Sequence, residues 1–164
     1  FYSNGKKIYP EHAILKLDPF GFAMWYADDG TTILVQRNNT TGGSRSRRIQ
    51  LCTDNFTPEE HLKIKDDLET LGYTVKIIDR ARLGQLRIQL NSPRQDFICD
   101  IADYFYKYFP SLLYKIDLGY RGSSLLSRTY VSERYYNTYL KISAHPEFKD
   151  RLKLQDDIVE STNT

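Results

Sequence analysis

The sequence predicts an α+β fold, with a four-stranded antiparallel sheet and helices segregated to one of its faces, in the order α-β-β-α-β-β-α. Three observations carry this. Four short runs rich in β-branched and apolar residues fall into two pairs, each close enough in sequence to form a hairpin. Helix-start signals containing a proline (Asp18-Pro19, Thr57-Pro58, Ser92-Pro93) stand before, between and after those pairs. The last run, Gln85 to Leu90 (QLRIQL), alternates strictly between polar and apolar, so it turns one side to a core and the other away.

Residues 1–17 read as an extended approach, punctuated by Asn4-Gly5 and Pro10. The first helix follows in Asp18 to Gly30 (DPFGFAMWYADDG), with Asp18 as N-cap and Pro19 at the first helical position. Ala23 and Ala27 stand one turn apart, a small-residue face that lets another backbone approach closely. The helix leaves through Asp28-Asp29-Gly30, and carboxylates there oppose the helix dipole. Two readings follow: a divalent cation compensates the charge, or the acids form a solvated cap and turn. Thr31 to Arg37 and Arg47 to Thr53 form a hairpin around a polar, Gly-containing tip, Asn38 to Ser46. Thr57-Pro58-Glu59-Glu60 has the capping-box pattern, and Ile64, Leu68 and Leu71 give the second helix its apolar face before Gly72 stops it. Thr74 to Arg80 is the third strand, Gly84 breaks the chain, and Gln85 to Leu90 is the fourth. The third helix opens at Ser92-Pro93-Arg94-Gln95, lines its inner face with Phe97, Ile101, Tyr104, Phe105 and Tyr108, and ends at Pro110.

A chain of 164 residues, 40% hydrophobic and 13% aromatic, suits one globular domain with a sizeable core. No apolar run is long enough to span a membrane, and no membrane partner is expected. The start at Phe1, without Met or an apolar leader, suggests a chain trimmed from something longer. Two cysteines make no disulfide framework, so a reduced intracellular compartment is expected, and the three histidines stand too far apart for a zinc pattern. The net charge of +2 is unevenly spread. Residues 31–50 hold four arginines and no acid (+4), and residues 74–91 hold Lys76, Arg80, Arg82 and Arg87 against Asp79 (+3), leaving −5 elsewhere. If the two segments share a surface, it suits a polyanion; otherwise they are ordinary solvated hairpins. On the polar side of the strands, Gln85, Arg87 and Gln89 share a two-residue spacing with Lys76 and Arg80 and with Arg48 and Gln50. Arg matches guanine edges and Gln matches adenine edges in a major groove.

Together these features resemble the LAGLIDADG homing endonucleases. Phe22-Ala23-Met24-Trp25-Tyr26-Ala27-Asp28-Asp29-Gly30 lies on the nine-residue motif, with Asp29 at the catalytic acid. Gly5-Lys6-Lys7-Ile8-Tyr9-Pro10 is similar to the segment before the second motif of large intron-encoded members. Leu51-Cys52-Thr53-Asp54-Asn55-Phe56-Thr57 is similar to the family's strand-to-helix turn, and Pro110-Ser111-Leu112-Leu113-Tyr114-Lys115-Ile116 to the segment closing the repeat. The resemblance covers roughly residues 4–117, and it departs at Met24 and Ala27, where the family has Gly and Asp.

The resemblance implies a saddle-shaped sheet and site-specific cleavage of double-stranded DNA with Mg²⁺ as cofactor. Asp29 and Asp28 would be the metal-site residues, the carbonyl of Asp28 completing the coordination, with Lys115 and Lys7 as catalytic lysines. Ala23 and Ala27 would face a second such helix. The DNA-binding set would be Thr32, Gln36, Arg37, Asn38, Arg45, Arg47, Arg48, Gln50, Lys76, Arg80, Arg82, Gln85, Arg87 and Gln89. One motif supplies one acid, and two strands need two, so the partner is either a second copy in a homodimer or the missing half of a two-motif chain. An intron-splicing maturase or DNA-binding protein that does not cleave is the alternative on the same scaffold, and a module that binds no nucleic acid is a third. Residues 1–117 would form the endonuclease-like domain and 118–164 a C-terminal extension. In the extension Arg121, Arg128, Arg134, Tyr130, Tyr135, Tyr136 and Tyr139 interleave, suiting either DNA contacts or, the preferred reading, a helix wrapping the domain or a dimer partner.

Overall fold

The structure, a computed structural model, describes residues 2–36, 45–90, 96–116 and 133–148. The expected order of helices and strands is present. Helix α1 spans Pro19–Asp29, β3 Gly30–Gln36, β4 Arg45–Leu51, α2 Pro58–Thr70, β5 Val75–Arg80, β6 Gln85–Leu90 and α3 Asp96–Tyr108. They are preceded by the short strands β1 (Tyr2–Ser3) and β2 (Lys6–Lys7), and followed by a 3₁₀ turn at Pro110–Lys115 and a helix α4 at Glu133–Ser143. No helix among the described residues is long and apolar enough to cross a membrane.

The first segment is not simply extended. It folds back as the β1–β2 hairpin, with Tyr2 opposite Lys7. Asn4 and Gly5 both take positive φ, 50° and 75°, the conformation that an Asn-Gly pair supplies in a tight hairpin. A 3₁₀ turn at Ile14–Lys16 then leads into α1. Asp18 caps α1 as expected, its carboxylate accepting from the Gly21 N–H at 2.7 Å. Strand β4 begins and ends two residues earlier than the sequence pattern suggests, because the chain turns toward α2 immediately after Leu51.

All four strands of the main sheet are antiparallel, in the order β3-β4-β6-β5. The register puts Thr32, Ile49, Leu90 and Val75 in one row and Thr31, Gln50, Gln89 and Lys76 in the next. Side chains alternate faces along a strand, so the first row turns toward the helices and the second away. Ile49, Leu51, Val75, Ile88 and Leu90 meet Phe22 and Tyr26 of α1, Ile64 and Leu68 of α2, and Phe97, Ile101 and Phe105 of α3 in one core. Phe97 is fully buried at its centre, with rings edge-on to Phe22, Tyr26 and Tyr73. Truncating such a ring to Ala costs about 3–5 kcal/mol.

Helix α2 closes its capping box: Glu60 N–H donates to Thr57 Oγ1 at 3.2 Å and Thr57 N–H to Glu60 Oε2 at 2.8 Å. The other Glu60 oxygen accepts from the Tyr9 N–H at 2.8 Å, and the Tyr9 hydroxyl donates to buried Asp67. The N-terminal segment is thereby clamped along α2. In the described part of the C-terminal extension, residues 133–148, α4 lies on α3, and Tyr135, Ile142 and, beyond the helix, Phe148 are buried in the same core. Arg134 bonds Asp100 at 2.7 Å and Lys141 bonds Asp103 at 2.6 Å. Arg121, Arg128 and Tyr130 lie outside the described residues.

Candidate active site and sheet surface

The exit of α1 gathers three charged side chains from three parts of the chain. Asp29 ends the helix, half-buried, with Lys7 Nζ 3.5 Å from its carboxylate. Lys7 comes from β2, and its ammonium also sits 5.1 Å from the centre of the Phe56 ring. Lys115, from the 3₁₀ turn, donates to the carbonyl of Ala27 at 2.7 Å. The backbone of Lys115 is fixed as well. Its own carbonyl accepts from the Tyr26 hydroxyl at 2.8 Å and from the Thr32 hydroxyl. Burial pushes the Tyr26 phenol well above its usual range, against the opposing effect of its bond to Thr32, so it remains a neutral donor. The three residues expected to be catalytic are thus brought together.

The glycine that closes the motif has a specific reason. Gly30 has an ordinary extended backbone, φ −80° and ψ 148°, so no unusual conformation demands it. A Cβ there would strike both the ring and the carbonyl of Tyr26. Glycine lets β3 start directly against the helix it leaves.

The last turn of α1 exposes four carbonyls. That of Tyr26 accepts from the Gly30 N–H, that of Ala27 from Lys115, and that of Asp29 from the Cys52 N–H at 2.8 Å. The carbonyl of Asp28 accepts no hydrogen bond among the described residues. Together with the Asp29 carboxylate it offers hard oxygen donors, and Mg²⁺ characteristically takes one or two carboxylates, waters and phosphate oxygens. The donor set fits one side of such a site. No group of three or more His, Cys, Asp or Glu that could hold a metal alone occurs among the described residues. Successive helical residues diverge by about 100°. Accordingly the exposed Asp28 side chain borders a shallow hollow with Met24, Ala27, Phe109 and Leu112, away from the core.

That helical geometry corrects one expectation. Ala23 does not face outward to receive a second helix. It is fully buried with Phe22 and Tyr26 in the chain's own core. The outward stripe of α1 carries Met24 and Asp28, with Ala27 half-buried at its edge.

On the sheet surface away from the helices, Lys76 is exposed, and Arg48, Arg80, Gln85 and Arg87 are half-buried. Arg82 is exposed in the short turn between β5 and β6. Gln50 and Gln89 belong to this side by register but are 6% and 2% exposed, with Gln50 Nε2 3.4 Å from Gln89 Oε1. Arg87 is held by Asp54 through two bonds, Nε to Oδ1 at 3.0 Å and Nη2 to Oδ2 at 3.1 Å. The Asp54 bond, opposed by burial, holds the guanidinium above its already high range. Thr32 must be moved from the expected DNA-binding set, because it lies in the helix-facing row and its hydroxyl is used on Lys115. Gln36, Arg45 and Arg47 are placed by register at the far end of the hairpin, with Gln36 opposite Arg45 and Leu34 opposite Arg47. Arg37 and Asn38 lie outside the described residues.

Sequence reasoning missed Asp54, 33 positions from its partner Arg87. It also missed the convergence of Tyr26 and Thr32 on one carbonyl. The only available signal for Asp54 was its place in the strand-to-helix turn.

The fold and the α1 exit define an α+β protein of homing-endonuclease architecture. In structure, the chain is similar to "The homing endonuclease I-WcaI bound to its DNA recognition sequence", with a TM-score of 0.54 and 20% identity over 73% of this chain and 50% of that one. A model of the LAGLIDADG DNA endonuclease family matches residues 1–95, and the chain belongs to that family. Curated relatives include Protein RecA of Mycobacterium shimoidei, 29% identical over 136 residues, covering 80% of this chain and 31% of that protein. Protein RecA of Mycolicibacterium flavescens is 26% identical with the same coverage, and that of Mycobacterium leprae (strain TN) is 28% identical over 18% of its length. The chain therefore spans less than a third of the curated relatives it matches.

Proposed function

We propose that this chain is one catalytic unit of a site-specific, Mg²⁺-dependent endonuclease acting on double-stranded DNA. The observation that carries the proposal is the convergence of Asp29, Lys7 and Lys115 at the exit of α1, beside a sheet surface bearing Lys76, Arg80, Arg48 and Arg87. Asp29 and the Asp28 carbonyl would hold the cation. The bound cation would supply an acidified water and neutralise charge on the phosphate oxygens. Lys7 places a positive charge 3.5 Å from the Asp29 carboxylate. Lys115, fixed at both its ammonium and its carbonyl, would orient a phosphate or hydroxide at the same spot. Lys76 and the arginines of the sheet would engage the duplex.

Cutting both strands needs a second acid. The outward stripe of α1, with Met24 52% exposed, is the surface on which a second unit's helix would pack. The match to half of the homing endonuclease's chain supports a two-unit assembly. The test is cleavage of a randomised duplex library in Mg²⁺ by the parent and by Asp29→Asn, with solution mass measured alongside. The parent is expected to leave breaks at a long specific target and Asp29→Asn none. Equal cutting by both would place the chemistry elsewhere. Binding of DNA or of structured intron RNA without any nicking would instead establish a non-cleaving binder or maturase.

A further inference from the structure

We propose that Asp54 is a positioning residue that presents Arg87 to a guanine edge in the bound duplex. This deepens the DNA-endonuclease reading and rests on it.

A guanidinium has five N–H groups in a fixed plane. Asp54 occupies the side of that plane formed by Nε and Nη2. The opposite, end-on edge, made of the second Nη2 hydrogen and Nη1, has no hydrogen bond among the described residues. That edge has the spacing to meet two acceptors at once, as guanine O6 and N7 present them. Arg87 and Asp54 side chains are only 19% and 21% exposed, so the pair is a held unit and not two waving surface chains. The turn that carries Asp54 is pinned in its own right. Thr53 Oγ1 lies 2.9 Å from His61 Nε2, and Phe56 N–H donates to the Thr53 carbonyl at 3.1 Å. Ordering Arg87 in advance reduces the entropy lost when DNA binds.

The same carboxylate selects the kind of acceptor. A phosphate approaching Arg87 meets a negative charge already bonded to it, whereas a neutral base edge is not repelled. The half-buried neighbour on the same side of β6, Gln85, points the same way, being an uncharged amide suited to a base edge. The register Leu51↔Ile88 brings the next residue, Cys52, beside Arg87, and the Cys52 N–H bonds the Asp29 carbonyl. The reading position therefore lies close to the cutting position.

The experiment measures binding of the assembled protein to a duplex set carrying every base pair at each target position, at two salt concentrations. It compares the parent, Asp54→Ala, Asp54→Asn, Arg87→Ala and Asp54→Ala/Arg87→Ala, with circular dichroism confirming folded variants. The parent is expected to prefer guanine at one position. Asp54→Ala should lower that preference by about 10-fold, within the range of a bidentate contact, and leave other positions alone. Asp54→Asn, which keeps the shape, provides the comparison if Asp54→Ala does not fold, and it should lose part of the same preference. The double variant should discriminate no worse than Arg87→Ala. A uniform loss across all sequences with a shallower salt slope in Arg87→Ala would identify a phosphate contact and overturn the proposal. Unchanged discrimination in folded Asp54 variants would leave the pair a structural tie and overturn it also. A parent that binds no duplex at all would overturn the endonuclease reading itself, a distinct result.

Discussion

The ammonium of Lys115 donates to the carbonyl of Ala27 at 2.7 Å, joining residues 88 positions apart in sequence. The bond meets the negative end of the helix dipole of α1, two residues before the candidate metal-binding acid. It makes the lysine part of the helix end. Lys115→Met is expected to lower stability by about 1.5–3 kcal/mol through loss of this charge-assisted bond. Single-turnover cleavage should fall by roughly 10²-fold or more, the scale of losing one fixed donor that orients and stabilises charge on a reacting oxygen. A urea midpoint and a cleavage time course measure the two effects separately.

Tyr26 and Thr32 both donate to the carbonyl of Lys115. Each covers for the other when one is removed. Tyr26→Phe and Thr32→Val should each cost about 1 kcal/mol or less, whereas the double variant should cost more than their sum because the carbonyl then loses both donors. Additive urea-derived stabilities would show that the two bonds act independently.

Those contacts mark the boundary of what the sequence makes legible. Capping signals and strand alternation are local, and Asp18, the Thr57–Glu60 box and Gln85–Leu90 all take the predicted form. The motif named the α1 exit and its acids. Which side of α1 faces out was less legible, because the helix is apolar nearly all round and small residues suit a core as well as an interface. Ala23 went to the core and Met24 outward for that reason. Arg87 looked like a free reader on the basis of alternation alone. Its partner Asp54 is visible only after β4, the following turn and β6 are assembled.

Gly30→Ala tests the close passage of β3 against α1. The new methyl meets the ring and carbonyl of Tyr26, and neither can withdraw without disturbing the core or the last turn of the helix. A loss of about 1–3 kcal/mol or more is expected, the usual scale of overpacking. Because Tyr26 also holds Lys115, cleavage should suffer along with stability. Thermal and urea unfolding measure the first effect.

Glu60 links acid stability to the arm that carries Lys7. Burial raises its carboxyl, but the N–H groups of Thr57 and Tyr9, the Thr57 side chain and nearby Lys6 outweigh that and lower it below the ordinary 4.5. A carboxyl depressed in the folded state stabilises fully above its unfolded value and loses that contribution as pH falls through the folded value. The parent should therefore lose more stability than Glu60→Gln when pH is taken from 6 to 3. Parallel urea titrations at both pH values make the comparison, and equal losses would remove Glu60 as a contributor.

The outward stripe of α1 separates folding from assembly. Met24 is 52% exposed and lies beside Asp28, Ala27, Phe109 and Leu112, so the isolated unit gains little from its side chain. A helix from a second unit packed on this stripe would bury it, and a carboxylate there would have to be desolvated next to Asp28. Met24→Glu should thus leave the unit's own stability within about 0.5 kcal/mol, as for an ordinary surface change. It should also abolish double-strand cleavage and shift the solution mass to that of a single unit where the parent is a dimer. In a two-motif chain the mass would stay the same, but the two halves would lose their mutual stabilisation, read as two unfolding transitions where the parent shows one. A fully active variant with the parent's mass and a single transition would mean that the second acid approaches from another face, because a buried glutamate beside an aspartate cannot be silent in an interface that must bring two carboxylates together.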